Sequence, residues 1–503
     1  MGLLSLMFGR KTQPPIDLDA LASAIARIRG SYDAARNGDE YKNIWANADA
    51  YDADSAHSRE VRQTLVQRSR YEINNNGFSD GIAQTYATDV VGTGPTLRMQ
   101  TTSPGFNQMV ELQWNLWCKA VQFRRKLWCQ AHAKHSDGES IAVMRRNARL
   151  PHPVQIDLVL YETEQCQTPY LPFGVDGFID GIRFDAYGNP ETYDILRHHP
   201  GTVSSLIDLE PERVPADRVL HWFKMRRPGQ HRGVPECAST LNLGAAARRW
   251  RESNLAAADM AADWSLVVKT QQSPDEADAV KPFSTMDVAK RQMAFLPTGW
   301  EADQLKAEFP TASYEAFHKT LINEQGRPKS MPLNKSMCNS ADYNYASGRL
   351  DHQTYYATLD VDRADCNDLV LDKIFSLWFD MAIKSFGWLG GLPDAVSPLA
   401  KLHSWDWPKH KVADIQAEAE ASQTKLQSGQ IGIHRLYSEA GLDLEDEIPA
   451  MAQSFGVDET EIRKRLLDIC LPATAAPPQQ PATPPAAAAS IPRLNGNALN
   501  GHE

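Results

Sequence analysis

The side chains of this chain that could do covalent or metal chemistry fall into no working arrangement. No GxxxxGK[ST] run is present, so the backbone cradle and lysine of a Walker ATP site are missing. Gly92-Thr93-Gly94 lacks the third glycine that would open a dinucleotide-binding helix and reads as a structural turn. Neither a GxSxG nucleophile elbow nor an HExxH pair occurs. His132 and His135 stand three apart and His198 and His199 are adjacent, but neither pair has a Cys or acidic residue at ligand spacing, so hydrogen-bonding or surface histidine is the reading. Cys338 lies beside Asn339 with no placed histidine to draw off its proton. The sequence therefore predicts no catalytic, cofactor-binding or metal-binding residue, and no cofactor.

What it offers instead is concentrated charge. Arg226, Arg227 and Arg232 form one basic cluster, and Arg248, Arg249 and Arg251 a second. For these two, ion pairing at a surface or between subunits is the better reading. Arg327, Lys329 and Lys335 form a third, with no acidic residue between 325 and 341. Pro328 and Pro332 argue against regular structure there and predict an exposed, extended excursion. Cations on such a loop suit phosphate, which positions nucleic acid without reading its sequence. An opposite cluster, Asp275, Glu276 and Asp278, sits behind Pro274 in the polar insert 271–281.

The elements that must carry these groups follow from periodicity. An amphipathic helix is expected over 15–40, helices over 57–91 interrupted at Asn74-Asn75-Asn76-Gly77, and a helix over 104–134 with Trp114, Leu116, Trp117, Val121 and Trp128 as core. Residues 153–223 read as short strands and turns. An Ala-rich helix covers 234–263; alanine is the best helix former but fills little core volume. Strand-like pieces lie at Leu266–Lys269 and Met293–Leu296, and a short helix at 313–324. Residues 341–386 hold no proline and only one glycine, and one continuous helix there would run about 65 Å. Residues 409–428 and 430–470 read as a small helical unit broken by Gly429 and by a turn at Gly441, and the last 33 residues, with seven prolines and nine alanines, predict disorder.

The 503 residues carry a formal net charge of −11, which argues against a protein held on nucleic acid by bulk charge. Seven widely spaced cysteines without a CxxC read as free thiols in a reducing compartment. No apolar run approaches a membrane span. The opening MGLLSLMFGRK is too short for a signal peptide, and Leu6 breaks the myristoylation pattern.

The order of motifs resembles the lambda-type family of tailed-bacteriophage portal proteins, the head-tail connectors. The resemblance rests on Asp89-Val90-Val91-Gly92-Thr93-Gly94, HWFKMRRPGQHRGVPECASTLNL from His221 to Leu243, LPTGWE from Leu296 to Glu301, and Asn344-Tyr345-Ala346-Ser347-Gly348-Arg349 where the family often shows N-Y-S-S-x-R. It covers roughly residues 60–450.

The resemblance implies an α+β portal fold, with helical wing and crown, helical stem and a small α/β clip, assembled as a homododecameric ring. In chain order, 1–233 would be the wing, 234–263 the first stem helix, 264–312 the clip, 313–325 the second stem helix and 326–340 a tunnel loop. Residues 341–404 would be the long wing helix and its connection, 405–470 the crown, and 471–503 the tail. It implies no enzyme but a channel for double-stranded DNA at one capsid vertex of the virion, assembled in the bacterial host cytoplasm. Its partners would be the terminase large subunit, the major capsid and scaffold proteins, and head-completion or adaptor proteins. Its roles would be procapsid assembly, genome packaging and ejection. Arg327, Lys329 and Lys335 would then meet DNA, and Asp275, Glu276 and Asp278 would dock a partner. A hydrolase using an unrecognised His or Cys site in the β-rich stretch, or a DNA-binding adaptor, are the alternatives.

Overall fold

The computed structural model describes residues 43–167, 177–202, 210–262, 266–270, 300–304, 314–341, 343–390, 392, 395, 397–410, 415–440, 442 and 444–470. The expected helix over 15–40, the strand-like piece Met293–Leu296, the acidic cluster Asp275, Glu276 and Asp278, and the tail 471–503 lie outside these residues.

Helix α1 (Arg59–Asn75) buries Arg62, Val66, Ser69 and Ile73, a row at spacings of three and four that forms one helix face. Asn76 then caps α2 (Gly77–Val91), its side chain accepting the Phe78 N–H, and Gly92 ends α2 at a positive φ of 54°. This is the interruption that the Asn-Asn-Asn-Gly run predicts. The helix expected over 104–134 is two helices, α3 (Pro104–Ala120) and α4 (Phe123–Ser136). The break is Gln122 in the left-handed conformation, which neither glycine nor proline announces. Trp114, Trp117 and Val121 are buried as expected, Trp128 is half-buried, and Leu116 faces outward with 44% exposure.

Two sheets carry the β-rich stretch. β2 (Glu139–Arg146) is the centre of a three-stranded antiparallel sheet, paired with β3 (Ile156–Tyr161) and β8 (Val219–Phe223). Its alternate side chains serve two cores: Ala142 and Met144 join the main core, while Ile141 and Val143 join a second one. That second core lies against a sheet of β4 (Phe178–Ile179), β5 (Ile182–Phe184), β6 (Pro190–Ile195) and β7 (Glu212–Pro215). A short strand β1 (Thr96–Met99) after α2 pairs far along the chain with β11 (His403–Asp406).

The Ala-rich helix α5 spans Leu241–Ala262 and leads into β9 (Leu266–Thr270), which pairs antiparallel with β10 (Trp300–Gln304). The chain returns through α6 (Tyr314–Gly326). Trp250 of α5 stacks on Tyr314 of α6 at 4.9 Å and meets Phe317 edge-on, so aromatic contact rather than alanine volume joins the two helices. The proline-free stretch forms α8 (Tyr345–Cys366) and α9 (Asp372–Ser385), joined by a π-helical turn at Asn367–Leu371. Helical backbone thus persists over residues 345–385, about 60 Å at 1.5 Å per residue. Asn344 caps its start by accepting the Ser347 N–H at 2.8 Å. The C-terminal unit holds α10 (Ile415–Gln427), α11 (Ile433–Glu439), α12 (Leu444–Phe455) and α13 (Glu459–Cys470). Among the described residues no helix is long and apolar enough to cross a membrane.

The main core is organised around Trp114. Its ring lies 4.9–6.1 Å from those of Trp117, Phe123, Phe375, Trp378 and Trp405, contributed by α3, α4, α9 and β11. Trp114→Ala is expected to cost about 3–5 kcal/mol in urea unfolding. Leu116→Ala, on the outer face of the same helix, should stay within about 0.5 kcal/mol. Equal losses would contradict this placement of the core.

Candidate functional site

The loop between α6 and α8 is folded, not extended. A single 3-10 turn, Arg327–Lys329, follows α6, and a short helix α7 covers Leu333–Met337. Ser330 and Cys338 take φ angles of 53° and 52°, so each end of this segment reverses through a left-handed residue. The Met331 N–H donates back to the Gly326 carbonyl at 3.1 Å. A Cβ on Gly326 would stand 2.4 Å from Ser336 Oγ, so only glycine closes the loop this tightly. Pro332 sits immediately before α7, where its missing N–H costs nothing. The expected extended excursion is therefore corrected: the prolines start turns here.

The three cations of this loop have different surroundings. Arg327 is exposed. Lys335 is half-buried, its ammonium 2.6 Å from Asp89 Oδ2 and above the rings of Tyr355 and Tyr356. Lys329 is buried to 1% exposure and bonds Glu236, with Asp362 Oδ2 at 3.4 Å and the Tyr86 ring centroid at 3.4 Å beneath its ammonium. The expectation that all three are exposed is overturned for Lys329 and Lys335, because α2, α8 and the segment before α5 supply acids that local sequence does not.

Lys134 of α4 completes this junction. Its ammonium donates to Glu236 Oε1 and Asp362 Oδ1, each at 2.8 Å, and lies 3.2 Å from Tyr86 Oη. The Tyr86 hydroxyl donates to Asp362 Oδ2 at 2.8 Å. Two ammonium groups and two carboxylates thus neutralise each other where side-chain exposure is 1% or less. Burial alone would raise the Glu236 and Asp362 carboxyls, but Lys329 and Lys134 outweigh it and hold both below the ordinary carboxylate range. Burial draws the Lys329 ammonium down to about 8 against the pull of Glu236, so it remains charged at neutral pH. Beside it, burial and then Lys329 push His135 to about 3, which keeps that imidazole neutral. Arg363, next to Asp362, donates to the Val90 and Asp89 carbonyls at 3.0 Å and caps the end of α2.

A second buried network lies under the RPGQHRGVPE run. Arg232 bonds both oxygens of Glu139 and reaches the Cys166 carbonyl at 3.0 Å. The Gly233 N–H donates to Glu139 Oε2 at 2.7 Å, and His221 Nε2 lies 3.0 Å from the same oxygen. Gly233 allows this approach: a Cβ there would stand 2.3 Å from the Gly138 carbonyl oxygen, and Gly138 itself sits at a φ of 88°. The run is thus a structural clasp, with Arg232 holding the β2 turn and Glu236 the lysine pair. Arg226 and Arg227 stay exposed, and the Arg227 guanidinium donates to the Tyr51 carbonyl at 2.9 Å. Of the remaining basic cluster, Arg248 lies over the Tyr71 ring and 3.4 Å from Glu72, and Arg251 donates to Asn76 Oδ1 at 2.6 Å. Arg248 fastens α5 to α1, and Arg251 fastens it to the α1–α2 junction, within one chain.

Cys166 and His221 of the β-rich stretch sit inside the buried Arg232 network. Burial pushes the Cys166 thiol up to about 11, and the Glu139 carboxylate that His221 faces is already taken by Arg232. Glu162, Glu164 and His199 come within ligand distance of one another, a grouping that their separation in sequence hides. Arg70 donates to both glutamates, at 2.9 and 3.0 Å, and so already supplies them with a positive charge.

A sequence-family model described as phage portal protein, lambda family, matches residues 42–363. The chain belongs to that family. No curated protein matches it. Among solved structures it is similar to a chain of the virion of a native gene transfer agent particle, at 13% identity and a TM-score of 0.45, covering 75% of this chain and 93% of that one. It is also similar to a chain of the neck of a native gene transfer agent particle, at 13% identity and a TM-score of 0.43, covering 76% and 94%.

Lys329→Met removes one cation and leaves its carboxylates partly unpaired, so it should cost about 3–5 kcal/mol by chemical denaturation. In a double-mutant cycle with Asp362→Asn, the coupling should be at least about 1 kcal/mol. A small, additive effect would show that the junction does not hold the loop. The same groups set an acid response. Both carboxyls are lowered in the folded chain, so their stabilisation is full above the unfolded carboxyl values, about 4, and is lost as pH falls below them. Unfolding free energy should therefore fall more steeply on acidification in the wild type than in Glu236→Gln/Asp362→Asn; equal slopes would contradict this.

Proposed function

We propose that this chain is the protomer of a twelve-membered portal ring that forms the DNA channel at one capsid vertex. The observation that carries the reading is family membership across residues 42–363, a span that reaches from α1 into α8. On this reading the chain does no covalent chemistry, and ATP hydrolysis belongs to a docked terminase. The ring nucleates the procapsid with scaffold and coat protein, admits DNA during packaging, accepts head-completion proteins and releases DNA at infection. Residues up to 233 form the wing, α5 and α6 the stem, the β9–β10 region the clip, 345–385 the long wing helix, and the helices from 415 to 470 the crown. An acidic chain with a net charge of −11 suits a conduit past which DNA must slide.

Of the three loop cations, only Arg327 is free of the body to meet phosphate on this reading; Lys329 and Lys335 hold the loop that carries it. Twelve guanidinium groups would then ring the channel, each making a weak contact that is blind to sequence and weakens with salt. Asp275, Glu276 and Asp278 are assigned to docking a terminase or adaptor at the clip.

Light scattering of the purified chain is expected to return a closed assembly about twelve times the 56.0 kDa chain. Monomer or dimer across wide ranges of concentration and salt would contradict the portal reading. Arg327→Ala should leave stability within about 0.5 kcal/mol and rings intact while lowering packaging or retention of full-length DNA. Normal packaging would withdraw the contact. Charge reversal of Asp275, Glu276 and Asp278 to Lys should spare the ring and impair packaging; normal packaging would sink the docking role.

A further inference from the structure

The C-terminal helical unit is incompletely filled. Among the described residues of 415–470, Leu444, Ile448, Ala452 and Ile462 are the buried hydrophobics that form a core of their own. Units of this size bury about 60% of their surface at best and are marginal without help. Beside that core lies an apolar groove of about 350 Å³, lined by residues that include Leu426, Ile431, Leu444, Ile448, Leu467 and Cys470. Leu467 is 57% exposed on its wall. The volume falls in the range of about 300–1,000 Å³ typical of sites that hold a ligand.

We propose that this groove receives the segment Ile491–Leu499 of the chain's own C-terminal stretch. Three observations point to that occupant. The first is position: Cys470, which lines the groove, is where α13 ends, and 33 residues follow it. The second is composition: those 33 residues contain four large apolar side chains, Leu471, Ile491, Leu494 and Leu499, and three of the four fall together between 491 and 499. The third is the connector: residues 472–490 are uncharged and hold six prolines and eight alanines. At about 3 Å per residue an extended connector of this length reaches up to about 60 Å, far more than a return to the groove requires. Tethering holds the segment at an effective concentration of about millimolar, so a contact of two or three apolar side chains too weak to form between free molecules forms within one chain. Docking Ile491 and Leu494 would extend the core begun by Leu444 and Ile448.

The test uses the full-length protein and reads the alkylation rate of Cys470 by peptide mass spectrometry, with the exposed thiols of Cys129 and Cys338 as internal references. Ile491→Asp/Leu494→Asp leaves every described residue intact. It should raise the Cys470 rate by about tenfold relative to the references, because the groove opens when its occupant is disabled. An unchanged rate overturns the proposal. Protection that survives the double substitution but disappears when assemblies are dissociated also overturns it, because a neighbouring copy then covers the groove.

Discussion

Two lysine ammonium groups sit with almost no exposure in this chain, and the body is arranged so that they can. An isolated buried ammonium is far too costly to keep its charge. Lys134 and Lys329 persist because Glu236 and Asp362 face both of them and Tyr86 fills the remaining space. These groups come from α2, α4, the segment before α5, the turn after α6, and the C-terminal end of α8. One neutral cluster thus joins the two ends of the α5–α6 excursion to the helical body and to the long helix. Replacing the cluster by apolar residues could leave stability unchanged, but removing one member leaves an uncompensated charge. The arrangement therefore ties the register of all five segments together.

The segments whose signals are local were legible in the sequence. The Asn-Asn-Asn-Gly interruption, the strand after the Ala-rich helix and the long proline-free helix appear where periodicity and turn residues place them, whereas the Ala-rich helix expected from 234 begins only at Leu241, after a 3-10 turn at Ala238–Thr240. The break at Gln122 was not, because a left-handed glutamine carries no compositional mark. The RGVPE run was legible as a resemblance, and its physical reason emerges only in three dimensions: Gly233 presses on Gly138, Arg232 clasps Glu139 and Glu236 faces two lysines.

The loop was misread for the same reason. Within 325–341 there is no acidic residue, so its cations look free. Their partners are Asp89, Glu236 and Asp362, separated from the loop by long stretches of chain, and charge pairing at that range leaves no local signature. The prolines were equally ambiguous. Proline denies an interior helical position but favours the first turn of a helix, and Pro328 and Pro332 occupy such starts. What remains exposed is Arg327, carried on a loop whose position two buried or half-buried lysines determine.

The family's ring and the anchored loop would meet in the assembled protein. A cryo-electron microscopy map of the purified assembly at side-chain resolution tests them together. The account predicts a closed ring in which Lys329 lies between Glu236 and Asp362 in every subunit and Arg327 points toward the central axis. An open or dimeric assembly, or a ring in which Lys329 has left its carboxylates and the loop extends into the lumen, would contradict it.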